Sequence, residues 1–251
     1  LLFKFLDIFL RIDNARFFMF SKPYFVDMIF HFLFEVNVQE YSLDIICRGL
    51  CLDSESFPSS TFDVIFPRIL ALIRWSSDCI NEQIVFDFVI RFLKMLTDAF
   101  SINRRSLTNP VEKHKVFDKL SYLSLQVESI PKRIELINSL LRTFYPLVKQ
   151  QNLMRKVLVH TPLKNISEAL IGQQFGIETI QLLLQFLFET PVDFTRLPEM
   201  ADISNPKILP YLHQTTKHLP QHAEIFSYIN KICLNSATNK LHVYQSKLPI
   251  C

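Results

Sequence analysis

The chain has 251 residues, 49% of them apolar and 20% charged, with a formal net charge of +3, a composition that excludes intrinsic disorder. Glycine occurs three times against a usual share of about 7%. This excludes phosphate loops, dinucleotide-binding turns and hairpin-rich barrels, which need glycine where φ is positive or the backbone approaches a ligand.

Taken in chain order, apolar residues at the helical period predict long helices over 1–10, 41–50, 84–96, 134–144, 177–187 and 225–234. In the third, Val85, Phe88, Val89, Phe92, Leu93 and Leu96 follow the 3.6-residue period, so Phe92 is read as buried. Each long helix is followed by a polar turn, at 13–16, 53–56, 102–105, 151–154, 192–195 and 237–240. Between the turns lie second helices over 24–33, 66–73, 116–123, 163–170 and 208–212. Breaks are placed at Pro58, Pro110, Pro131, Pro146, Pro191, Pro206 and Pro220, because proline ends a helix or opens the next. No Asn-Gly or Asp-Gly pair signals a hairpin.

The polar turns centre near residues 14, 54, 103, 152, 193 and 239, in steps of 40, 49, 49, 41 and 46. The recurring unit is a long helix, a polar turn with Asn or Asp, a short connector and a second helix. The stretches 13–26 and 231–250 both have this form, which resembles the armadillo repeat and, more loosely, the HEAT repeat. The resemblance implies an all-α fold, a right-handed α-solenoid of about five to six repeats forming one domain over 1–251. The Trp and Asn that line the groove of peptide-binding armadillo proteins are not repeated: Trp75 is the sole tryptophan and stands outside the long helices. The chain begins without Met, and 247–251 reads as the start of another apolar segment, so it is taken as a piece of a longer protein.

Five cysteines, Cys47, Cys51, Cys79, Cys233 and Cys251, are odd in number and irregular in spacing. They are read as thiols in a reducing compartment, cytoplasm or nucleus. The strongest membrane candidate, 17–36, contains Lys22, Pro23, Asp27, His31 and Glu35, so no membrane span is expected. His213, His218 and His222 are close in sequence, but Pro220 interrupts them, and they are read as surface residues. Cys47 and Cys51 are four apart, whereas a redox pair needs two intervening residues; they are read as core-filling thiols. The Asn165-Ile-Ser167 sequon falls in a second helix and is read as chance. No serine or cysteine sits in a nucleophile motif, so no enzyme activity, cofactor, metal or small-molecule substrate is expected.

Charge carries the functional expectation. Residues 1–100 hold 9 Lys and Arg against 13 Asp and Glu, and residues 101–251 hold 18 against 11. The stretch 104–164 holds 12 against 4. Arg104 and Arg105 are read in a loop, and Lys132, Arg133 and Arg142 on or beside the fourth long helix. Together they form a basic strip suited to an acidic protein segment, extended or helical. Nucleic acid is the alternative partner for this strip. Residues outward on the long helices, Arg48, Arg91, Asn138, Gln181, Gln185 and Lys231, are read either as lining a solenoid groove or as plain surface. The expected function is therefore a non-catalytic scaffold for protein assembly.

Overall fold

The computed structural model describes residues 2–51 and 60–246. Among them every regular element is helical and no strand occurs; the chain is all-α. The expected turn at 53–56, Pro58, and the apolar segment at 247–251 with Cys251 lie outside the described residues. The chain divides into two units, Leu1–Lys119 and Leu120–Cys251.

The first unit contains α1 (Leu2–Phe9), α2 (Asp13–Phe20), α3 (Pro23–His31), α4 (Gln39–Leu50), α5 (Ser60–Cys79), α6 (Gln83–Ile102) and α7 (Arg104–Lys113). A 3-10 turn, Phe32–Phe34, follows α3. The first unit is built around α6. This helix buries Phe88, Val89, Phe92, Leu93, Leu96 and Phe100 among others, and exposes Asp87, Arg91, Lys94 and Asp98 as one stripe. So wide an apolar arc requires neighbours on more than one side, and α4, α5 and α7 all pack against it. In the same unit α4 also packs on α1, and α3 on α5. Where α2 meets α4, the Phe20 ring is fully buried against Gly49.

The boundary between the units falls within α8 (Val116–Gln126). The second unit continues with α9 (Ile130–Val148), α10 (Asn152–Leu158), α11 (Thr161–Leu170), α12 (Ile177–Phe188), α13 (Leu209–Thr216), α14 (His222–Leu234) and α15 (Ala237–Gln245). Two 3-10 turns, Phe194–Arg196 and Pro206–Ile208, lie between α12 and α13. Helix α9 packs on α12, and α11 on α13. Leu140, Leu141, Phe144 and Leu147 of α9 are fully buried, each worth about 1.5–3 kcal/mol over exposure. Buried polar groups are paired between α9 and α12 and between α11 and α8, as burial demands. Thr179 Oγ1 donates to Asn138 Oδ1 at 2.8 Å, and Asn165 Nδ2 donates to Ser121 Oγ at 3.0 Å.

Helices stand at all six long-helix positions and all five second-helix positions. Pro23, Pro131, Pro162 and Pro210 occupy first turns, where no N–H is required. Four expected polar turns are corrected: 13–16 opens α2, 102–105 runs into α7, 151–154 runs into α10, and 237–240 lies in α15. Arg104 and Arg105 are thus helical and not in a loop. Such short helices need only a few buried residues; α7 buries Leu107, Thr108 and Val111 and exposes Arg105, Asn109, Glu112 and Lys113. Two expected breaks are also corrected, since Pro110 and Pro146 lie inside α7 and α9. Both are within the last turn or so, where losing one helix hydrogen bond disrupts little downstream. The second helix expected from 66 begins at Ser60 and carries Pro67 in its interior.

Among the described residues no single helix is long and apolar enough to cross a membrane. The 17–36 candidate is broken: α2 and the segment from Pro23 to Phe34 meet at 88°.

Candidate functional site

The residues expected to line a groove have three different fates. Arg91 is exposed on α6 and its Nη1 lies 2.9 Å from Glu40 Oε1 on α4. Lys231 is exposed on α14, and Gln181 and Gln185 are half-buried, four apart on one side of α12. Arg48 is half-buried in the last turn of α4. Its charge, with that of Arg16, helps hold the Cys51 thiol below its ordinary range, after the larger effect of a hydrogen bond from Cys47. Asn138 does not face solvent. It is buried and accepts the Thr179 hydroxyl between α9 and α12, because a polar side chain on a packed seam must find a partner there.

The basic strip is distributed over both units. Arg104 and Arg105 open α7 in the first, and Lys132, Arg133 and Arg142 stand on α9 in the second. Positive charge in a helix's first turn opposes the macrodipole, so neither α7 nor α9 gains local stability from these pairs. Arg105 is exposed and Arg104 half-buried, its Nε without a hydrogen-bond partner. Arg133 is half-buried and Nε donates to the Val127 carbonyl at 2.9 Å. Arg142 is exposed but ion-paired with Glu178 on α12. Arg133 and Arg142 therefore also hold their own unit together.

Two concave features lie outside the strip. In the first unit an open cavity of about 400 Å³ is lined by Asp27, Phe30, His31, Phe34, Arg68, Ala71, Leu72 and Trp75. The Arg68 guanidinium pairs with Asp27 through Nε at 2.8 Å and Nη2 at 3.1 Å, which pulls the Asp27 carboxyl below its usual range. The Phe34 and Trp75 rings meet edge-on at 4.9 Å, leaving both partly exposed. This floor suits an apolar side chain. The isolated Trp75 outside the long helices was the one sign of it in the sequence. In the second unit a cavity of about 220 Å³ is lined by Asn152, Arg155, Lys156, Asn205, Pro206 and Lys207.

The remaining chemistry-bearing residues have structural surroundings. Asn165 of the sequon is buried with its amide engaged, so a glycan has no access to it in this fold. Cys47, Cys51, Cys79 and Cys233 are free thiols. His213 and His222 approach with ring centroids 5.0 Å apart beside Phe226, although Pro220 separates α13 from α14. Among the described residues no three His, Cys, Asp or Glu side chains are placed to share a metal. No family model, no curated protein and no solved structure matches the chain.

Proposed function

We propose that the chain is a right-handed α-solenoid of about five to six armadillo- or HEAT-like repeats, a non-catalytic scaffold that binds an acidic segment of a protein partner within a larger assembly. The observation that carries this reading is the repeated pairing of like with like inside each unit. Long helix packs on next long helix, α4 on α6 and α9 on α12; second helix packs on next second helix, α3 on α5 and α11 on α13. A pair of helices with apolar surface on several sides is stable only when stacked on further pairs. The four free thiols among the described residues support a reducing compartment, cytoplasm or nucleus.

The partner surface is assigned, within the first unit, to the first-turn basic residues Arg104 and Arg105 on α7. Charge there steers an acidic segment and costs little in stability. The test is titration of a fluorescent Glu/Asp-rich peptide into the chain, beside a single-stranded RNA of equal charge. Saturable peptide binding that Arg104→Glu and Arg105→Glu together abolish, with the chain still folded by its melting curve, supports the assignment. Binding of the RNA in preference, falling steeply with log[salt], would replace it with a nucleic-acid surface.

A further inference from the structure

The cavity in the second unit is basic, and two of its three cationic groups are in no ion pair among the described residues. Helix α10 contributes Asn152, Arg155 and Lys156; the turn before α13 contributes Asn205, Pro206 and Lys207. No carboxylate is among the lining residues. The Arg155 guanidinium is already committed: it forms an ion pair with the buried Glu189, and its Nη1 donates to Asn152 Oδ1 at 3.1 Å. Glu189 is itself fixed, at the left-handed end of α12 with φ 54°, its carbonyl accepting the Tyr145 hydroxyl at 2.8 Å. One wall of the cavity is therefore rigid and locally neutral.

The other groups are unspent. Lys156 and Lys207 are exposed and neither is in an ion pair among the described residues. Asn205 is 4% exposed, its backbone N–H held by the Leu187 carbonyl at 3.0 Å, and its side-chain Nδ2 has no hydrogen-bond partner. A buried amide left unpaired is costly, so it favours a water, an ion or a ligand that accepts its hydrogen bond.

We infer that this cavity binds a dianionic phosphate group between Lys156, Lys207 and the Asn205 amide. Two ammonium groups match a phosphate monoester, which carries about −1.5 to −2 charge near neutrality. They match it better than a carboxylate, whose planar geometry favours the two-pronged arginine fork that Glu189 here occupies. The volume, about 220 Å³ against roughly 30 Å³ per water in the liquid, admits the group with part of its hydration. This site is separate from the first-turn surface assigned to an acidic partner, and each stands or falls alone.

The chemistry is shared by free orthophosphate and by a phosphorylated side chain, so both serve as probes. The full chain is titrated calorimetrically with inorganic phosphate, with a phosphoserine pentapeptide, and with acetate at matched ionic strength. The expected result is saturable phosphate binding at least tenfold tighter than acetate. Lys156→Gln with Lys207→Gln should weaken it at least tenfold and leave the melting temperature in phosphate-free buffer unchanged, since both side chains are exposed. Tighter binding of the phosphopeptide than of orthophosphate supports the site and assigns a protein-borne source; the reverse order supports it and assigns free phosphate. Phosphate binding no tighter than acetate, or equal phosphate affinity in the double variant, overturns the inference.

Discussion

Arg91 on α6 and Glu40 on α4 join two adjacent long helices at 2.9 Å, and Arg142 on α9 and Glu178 on α12 join the next such pair in the second unit. In both cases the glutamate sits in its helix's first turn, where the dipole favours negative charge. Both pairs are exposed, so each adds specificity of stacking more than stability. A double-mutant cycle on Arg91→Ala and Glu40→Ala should give a coupling of about 0.2–1 kcal/mol in chemical denaturation, shrinking at high salt. A coupling of several kcal/mol would mean that the pair is shielded from water.

Phe92 is 2% exposed at the centre of α6 and stacks on Phe88 with centroids 6.1 Å apart. Phe92→Ala should cost about 3–5 kcal/mol, a large part of the roughly 5–15 kcal/mol that holds a domain folded. Thermal or urea melts should show a marked loss of stability. A change below about 1 kcal/mol would place this side chain at the surface.

A methyl group on Gly49 would lie 2.6 Å from Phe20 Cζ, inside van der Waals contact. Gly49→Ala gains up to about 1 kcal/mol of helix propensity, but overpacking costs about 1–3 kcal/mol. The Phe20 ring is fully buried and edge-on to Phe25 at 5.5 Å, so it has little room to retreat. The variant should be less stable, and Phe20→Leu should recover part of the loss in the double variant. Gly176→Ala, where an added methyl meets nothing within 4 Å, is the steric control; Gly176 caps α12, so the variant should lose about 1 kcal/mol or less, all of it from the cap, and Phe20→Leu should recover none of it.

His222 has its pKa lowered from the ordinary 6.5, by burial first and by the neighbouring His213 second. In the window below 6.5 the unfolded chain therefore binds more protons at this position than the native one. Its contribution to stability is fully present above 6.5 and is lost as pH falls from there through the depressed native value. Urea midpoints measured between pH 7.5 and 5 should drop more for the wild-type chain than for His222→Gln. Parallel curves for the two proteins would contradict this.

Reversal of the first-turn charges provides a further check on the α7 and α9 assignments. Because Arg104 and Arg105 oppose the dipole of α7, Arg105→Glu should leave stability unchanged or raise it by up to about 1 kcal/mol. Arg133→Glu should lower it, since Arg133 Nε holds the Val127 carbonyl. If both variants melt alike, the exposed and the internally bonded arginine have been misassigned.

Periodicity along the chain determined the all-helical fold, the places of the long and second helices and the burial of Phe92. These follow from which residues recur every three to four positions, a local property that burial then enforces. The short helices α7, α10 and α15 were not legible, because each buries too few residues to show a period and each begins with polar groups that also suit a turn. Nor did Pro110 and Pro146 reveal that packing around them outweighs one lost hydrogen bond. Only tertiary structure decided that Asn138 on α9 faces inward to Thr179 while Arg91 on α6 faces outward to Glu40. It alone brought 152–156 beside 205–207 and Phe34 beside Trp75. Those juxtapositions depend on how helices distant in sequence stack, and that is set by the shapes of both partners at once, which no single stretch of residues encodes.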